Sequence, residues 1–377
     1  MIIKREIQSK AEKALFKGKI VVIYGARQVG KTTLVKTILQ NQTKIKTAYF
    51  NCDEPDVREN LTGKTSTELK SFLGDSELVV IDEAQRVKNI GLTLKLLADN
   101  YPQTQIIATG SSSFDLSNEI VEPLTGRKIE FYLYPFSLGE LKDAYSKIEI
   151  NRMLENRMIF GMYPDVVFES DQAKSESIKE LAKSYVFKDV LQYQKIKNPE
   201  ILERLLQALA LQIGGQVIYS EIASLVGTDK VTVANYIRIL EQAFIIFRLP
   251  PFSRNARNEL KRTRKIYFFD NGIRNALINN LNPLSLRQDA GALWENFMIS
   301  ERIKRNRNIG RDANLYFWRT LQRQEIDLIE DCQGSLSGFE FKWRPRPGKT
   351  PIAFSRAYPD AEVKMISKEN YGNFVGL

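Results

Sequence analysis

The stretch KIVVIYGARQVGKTTLVKTILQ, residues 19–40, decides the fold. Its opening, KIVVIYG, is an unbroken Val/Ile-rich run that fits a parallel strand buried on both faces. GARQVGKT (25–32) then matches the phosphate-binding pattern GxxxxGK[ST] at every defined position. The glycines let backbone N–H groups turn inward toward phosphate oxygens. A helical pattern beginning near Lys31 brings the positive end of its dipole to the same place. By this chemistry Gly25, Ala26, Arg27, Gln28, Val29 and Gly30 cradle the phosphates of a nucleotide, with Thr33 following the loop. Lys31 reaches the β- and γ-phosphates, and the Thr32 hydroxyl ligates Mg²⁺.

Working outward, TAYFNCD (47–53), ELVVIDE (77–83), QIIATGSS (105–112) and KIEFYLYPF (128–136) read as further strands, with helical patterns at 32–40 and 92–100 covering them. The expected fold is α/β: a doubly wound parallel sheet forming a P-loop domain over residues 1–136. LVVIDEAQ (78–85) ends its apolar run in Asp82 and Glu83. Asp82 is expected to hold Mg²⁺ through water and Glu83 to polarise the attacking water, so Lys31 and Glu83 form the catalytic pair. The strand end Thr109-Gly110-Ser111-Ser112 places the hydroxyls of Thr109, Ser111 and Ser112 where a sensor of the γ-phosphate would sit. Three strand ends meeting at one crevice predict ATP or GTP binding. Hydrolysis often also takes an arginine from a neighbouring chain, which would make the protein a homo-oligomer. Arg127, in PLTGRK, is the candidate; its alternative reading is a surface arginine in a turn.

Composition narrows the chemistry. The 377 residues include no histidine, which excludes Ser-His-Asp and Cys-His nucleophile pairs, His-ligated zinc or iron, and imidazole acid-base catalysis. Cys52 and Cys332 are too far apart for a CxxC pair or a disulfide framework, and predict a reduced, cytoplasmic setting. No apolar run approaches the ~20 residues that span a bilayer, so no membrane partner is expected. Of the net charge of +10, +8 falls in residues 251–377. That asymmetry points to a polyanion such as DNA, or to a basic surface kept solvated.

From 137 to 198 the pattern is helical, broken at GMYPDVVF (161–168), and reads as a connector or lid. Residues 199–252 read helix, helix, turn, helix, strand. IYSEIASLVG (218–227) followed by TDKVTVANYIRILEQAFIIFRL (228–249) looks like a winged helix. Ser220 caps its first helix, Gly227 ends it, and Thr228 or Asp229 caps the second. Val231, Ala234, Ile237 and Leu240 are expected to face inward. Lys230, Thr232, Asn235 and Arg238 are left outside for phosphate and base contacts, or for a protein partner.

The basic stretch RNARNELKRTRK (254–265) leads into residues 253–377, a small α/β unit with strands at 267–269, 315–319, 325–329 and 339–343 and a helix at 293–305. In FEFKW (339–343) strict alternation puts Phe339, Phe341 and Trp343 on one face and Glu340 and Lys342 on the other. QEIDLIE carries Asp327 on a strand linked to FEFKW by a turn, and GALWENFMISERI carries Glu295 on an amphipathic helix with Leu293 and Phe297 inward. Asp327 and Glu340 together suit a hard divalent ion, with Lys342 positioning a water or neutralising charge. Glu295, Asp327, Glu340 and Lys342 thus form a second catalytic set, although an ExK alone is also a common solvated ion pair.

The order of these parts, GARQVGKTTL, LVVIDEAQ, ATGSSS, LYPFSLGEL, GMYP, YVFKDV, the winged helix, YFFDNGIRNAL, GALWENF, YFWRT, EIDLI and FEFKW, resembles that of bacterial and archaeal AAA+ superfamily ATPases. These join a P-loop domain to a winged helix and a restriction-endonuclease-like PD-(D/E)xK domain. The resemblance implies the same roles for Lys31, Thr32, Asp82, Glu83, Glu295, Asp327, Glu340 and Lys342. GMYP departs from it, since the family more often has two glycines there. The expectation is a Mg²⁺-dependent ATPase whose nucleotide state controls a DNA-facing, nuclease-like half. The alternatives are an ATP-dependent switch or scaffold that binds DNA or protein without cleaving it, and a sequence-specific transcription regulator.

Overall fold

Strands β1 (Ile20–Gly25), β2 (Thr47–Asn51), β3 (Leu78–Asp82), β4 (Gln105–Gly110) and β5 (Lys128–Leu133) pair in parallel in the order β2-β3-β4-β1-β5. The three inner strands are buried at every residue, while the outer β2 and β5 are half-exposed. That difference is why the inner strands read as unbroken apolar runs and the outer two do not. Each fully buried valine or isoleucine contributes roughly 1.5–3 kcal/mol, and Val22, Ile23, Val80 and Ile107 are all inaccessible to solvent. Helices Lys31–Asn41 and Ile90–Asn100 belong to this α/β unit. The computed structural model describes residues 3–110, 124–184, 196, 198–253, 264–345 and 350–377. Ser111, Ser112, YVFKDV (185–190) and nearly all of the basic stretch 254–265 therefore lie outside the described residues.

The parallel sheet belongs to one compact unit, Ile2–Pro135 with Gln242–Phe244; Phe136–Glu241 and Ile245–Leu377 form the other. The sequence divides the second unit at 198 and 252, but its segments share buried polar contacts. Gly161 ends helix Lys147–Phe160 at φ 84°, and a Cβ there would lie 2.0 Å from Asp270 Oδ1. Asp270 in turn accepts N–H bonds from Met162 at 2.7 Å and Ile273 at 3.1 Å. A Cβ on Gly272 would meet the Phe160 carbonyl at 2.1 Å. GMYP and FFDNG therefore interlock, and Met162 completes that buried turn with its own amide.

Helices Pro199–Leu211, Tyr219–Val226 and Lys230–Gln242 accompany an antiparallel sheet of β6 (Gln216–Val217), β8 (Arg264–Phe268) and β7 (Ile246–Leu249), in that order. The middle strand comes from beyond residue 252, so a boundary there cuts through one sheet. Asp229 caps the third helix through the N–H groups of Val231 and Thr232. Its buried face is Val233, Tyr236, Ile237 and Leu240. Val231, expected inside, is 69% exposed, because the helix starts at Lys230 and its first turn projects past the core.

Strands β9 (Asn314–Arg319), β10 (Glu325–Cys332), β11 (Ser335–Phe341) and β12 (Glu362–Ile366) form the last sheet, ordered β12-β11-β10-β9. β10 and β11 are the expected hairpin, turning through Gln333 and Gly334 at positive φ. Helix Ala290–Ile309 is buried on nearly all sides rather than amphipathic, with Glu295, Glu301, Arg302 and Lys304 in ion pairs. Glu330, on β10, accepts from Arg302 Nε at 3.0 Å, Arg302 Nη2 at 2.5 Å and Asn306 at 2.6 Å. Burial pushes its carboxyl upward, but the Arg302 guanidinium outweighs that and holds it below the usual range. Among the described residues no helix is long and apolar enough to cross a membrane.

Removing one partner of a buried pair strands the other. Glu330→Ala is expected to cost about 3–5 kcal/mol, read as a lowered urea midpoint of the full chain. An Arg302→Met, Glu330→Met double variant should recover most of that loss.

Candidate functional site

At the carboxyl ends of β1, β3 and β4, Asp82 is the centre of a hydroxyl cluster. It accepts from Thr32 Oγ1 at 2.7 Å and from the Tyr49 hydroxyl at 2.6 Å on one oxygen, and from Thr109 Oγ1 on the other. Thr109 Oγ1 accepts the Glu83 N–H at 3.1 Å. Glu83 sits at φ 53°, a left-handed conformation uncommon for a side-chain-bearing residue. It lifts the chain out of the strand, and Gln85 donates to the Glu83 carboxylate at 2.5 Å.

The loop 25–30 combines two left-handed residues, Gln28 and Gly30, with a glycine the neighbouring strand enforces. A Cβ on Gly25 would lie 2.2 Å from the Leu133 carbonyl of β5. Lys31 is 4% exposed, and its ammonium donates to the carbonyls of Gly25 at 3.0 Å and Ala26 at 2.8 Å. Helix Lys31–Asn41 has no side-chain cap, and the positive end of its dipole lies at the phosphate loop. Arg5 braces the loop from outside, donating to the carbonyls of Val29 and Tyr134, each at 2.6 Å. The residues fit a nucleotide with Mg²⁺: a cradle closed to any side chain at Gly25, and a hydroxyl and a carboxylate in contact at Thr32 and Asp82.

Arg127 lies elsewhere. It precedes β5, whose pairing puts Lys128 beside Ile20 and Leu133 beside Gly25, so the arginine is at the opposite end of the sheet. At ~3.3 Å per residue that is on the order of 20 Å from its own phosphate loop. It pairs there with Asp99 at 2.6 Å. Arg127 is thus no ligand of its own chain's nucleotide.

The sequence reading missed Tyr49, Arg5 and Gln85. Alternation in TAYFN gives Tyr49 a face, but only the β2–β3 register brings it to Asp82. Cys52 is buried near the same carboxylate, and burial followed by Asp82 pushes its thiol up to about 12. It is no nucleophile.

The second expected set does assemble. The register pairs Leu328 with Phe339, placing Asp327 next to Glu340 across the hairpin. Lys342, just past β11, lies 3.1 Å from Glu340. Asp327 accepts the Phe341 N–H at 2.8 Å. Three groups absent from the expectation join them. Lys265 Nζ is 3.0 Å from Glu295 and 2.5 Å from Glu325, and the Tyr267 hydroxyl donates to Glu295 at 2.5 Å. Among the described residues no three carboxylate or cysteine side chains converge to hold an ion. Of the expected metal pair, one Asp327 oxygen accepts a backbone amide and one Glu340 oxygen faces a lysine. Burial, followed by Asp327, pushes the Glu295 and Glu340 carboxyls up to about 7. Burial also raises Asp327. The cluster opens on a cleft of about 830 Å³ whose lining includes Arg287, Lys342, Trp343, Arg344 and Lys368.

A carboxyl whose folded pKa is raised holds its proton more tightly folded than unfolded. Its contribution is full below pH ~4.5 and is lost as pH rises through about 7. Glu295→Gln should flatten the decline of unfolding free energy across that window, measured by urea denaturation at successive pH values.

Three family models match parts of the chain: an AAA domain at residues 17–142, a domain of unknown function (DUF8612) at 151–284 and a domain of unknown function (DUF4143) at 290–370. An uncharacterized protein of Mycobacterium tuberculosis is 26% identical over 351 residues, covering 92% of this chain and 75% of its own. An uncharacterized protein of Methanocaldococcus jannaschii is 27% identical over 347 residues, covering 87% and 75%. The crystal structure of Pif1 helicase from Candida albicans aligns over 48% of each chain at 14% identity, with a TM-score of 0.28 that defines no shared fold. Residues 17–142, with the parallel sheet and the phosphate loop, are an AAA-type ATPase domain.

Proposed function

We propose that this protein is a Mg²⁺-dependent ATPase whose nucleotide state governs a DNA-facing C-terminal half. The observation that carries the first part is the contact of Thr32, Asp82, Thr109 and Glu83 beside a loop whose lysine is already buried. Lys31 exchanges its two carbonyl partners for β- and γ-phosphate oxygens. Amides of residues 26–33 bind the phosphates, and Thr32 and Asp82 hold Mg²⁺, which neutralises phosphate charge when bound. Glu83 orients the attacking water, with Gln85 fixing its carboxylate and Thr109 its backbone. Arg127, out of reach of its own nucleotide and paired with Asp99, would have to exchange that partner to serve a neighbouring chain's nucleotide in a homo-oligomer.

The DNA-facing part rests on charge and topology. The helices Pro199–Leu211, Tyr219–Val226 and Lys230–Gln242 with β6, β7 and β8 support a winged-helix reading. Lys230, Asn235 and Arg238 are exposed along its last helix, and residues 251–377 carry +8.

Lys31→Ala is expected to abolish nucleotide binding. Glu83→Gln should keep binding and lower ATP turnover at least about 100-fold; unchanged turnover in either would remove the assignment. Lys230→Ala and Arg238→Ala should each weaken duplex binding evenly across sequences and reduce the salt slope by about 1. Wild-type affinity in both variants would move the contact away from this helix.

A further inference from the structure

Lys265 is 2% exposed, on the middle strand of the β6-β8-β7 sheet, yet its ammonium reaches out of that sheet to Glu295 and Glu325. Tyr267, two residues along the same strand face, donates to the same Glu295 oxygen, and the Phe317 ring lies 5.7 Å from Lys265 Nζ. Around this point Arg319 is 3.3 Å from Glu325 and Lys342 is 3.1 Å from Glu340. Glu295, Glu325, Asp327 and Glu340 are thus faced by three fixed cations.

A hard divalent ion is held by oxygens with lone pairs to spare and negative charge not otherwise compensated. Here both are reduced: one oxygen on each of Glu295, Asp327 and Glu340 already has a donor, and three cations offset most of the charge of the four carboxylates. The Glu295 oxygen carries a lysine and a tyrosine, one Asp327 oxygen carries a backbone amide, and Glu340 carries Lys342. A buried ammonium is costly unless paired, so Lys265 and these carboxylates require one another.

We infer that the Lys265 ammonium is the built-in cation of this cluster, standing where a divalent ion would otherwise bridge Glu295, Asp327 and Glu340. The cluster then supports no metal-dependent cleavage. This rests on the nuclease-like reading of Glu295, Asp327, Glu340 and Lys342, and not on ATP turnover.

The test is Mn²⁺ titration, followed by electron paramagnetic resonance, of the nucleotide-free full chain carrying Thr32→Ala and Asp82→Asn to silence the N-terminal site. With Lys265 present, no saturable Mn²⁺ binding is expected. Lys265→Met should gain a stoichiometric site that Asp327→Asn removes again. Saturable binding with Lys265 present, abolished by Asp327→Asn, overturns the inference while leaving the nuclease-like reading standing. A folded Lys265→Met chain that gains no site overturns both. Should Lys265→Met fail to fold, the comparison of the Lys265-bearing chain with and without Asp327→Asn decides alone.

Discussion

One buried carboxylate, Asp82, sets the arrangement on which the nucleotide site depends. It accepts hydroxyls from Thr32 at the start of a helix, Tyr49 on β2 and Thr109 on β4. A carboxylate that is 1% exposed is tolerable only with its lone pairs occupied. The consequence runs through the sheet. Any shift of β2, β3 or β4 by one residue would turn one of these hydroxyls to the opposite face and leave a buried charge short of a partner. Sheet register and site geometry are therefore one constraint, and the parallel order converts it into a crevice at a single end of the sheet.

Buried polar groups also organise the other compact unit, with a different result. Asn296 exchanges hydrogen bonds with the backbone of Phe268 and donates to Asn271 at 2.6 Å. Asn275 donates to the carbonyls of Met158 and Ile159. Asp289 is pushed up by burial, but Arg287 and Arg274 outweigh it and hold it down at about 2. Asn271, Arg274, Asn275 and Asn296 come from the stretches FFDNGIRNAL and GALWENF. Their polar side chains look like chemistry in the sequence and are spent on terminating and joining secondary structure.

Much of this was legible because it is local. GxxxxGK[ST] between a strand and a helix, an apolar run ending in Asp-Glu, and strict alternation in FEFKW each depend on residues within a few positions of one another, and the backbone geometry follows directly. What was not legible depends on register between distant segments. Tyr49 reaches Asp82 only through strand pairing. Arg127 lies close to the site in the order of the chain, yet a parallel strand carries it to the far end of the sheet. Glu325 shares the face of Asp327 by simple alternation, so QEIDLIE already held that signal. Lys265 held none, since it belongs to a strand completed by residues some fifteen and fifty positions earlier.

The position of Lys265 also bears on how the C-terminal half responds as a body. β8 hydrogen-bonds to β6 and β7, while its side chains at 265 and 267 fix Glu295 on the central helix and Glu325 on the last sheet. Helix Lys230–Gln242 is followed directly in the chain by β7, which pairs with the strand that carries the ammonium. Moving Lys265 away from Glu295 would leave that buried carboxylate without its ammonium, whereas Glu325 would keep Arg319 and Glu340 would keep Lys342.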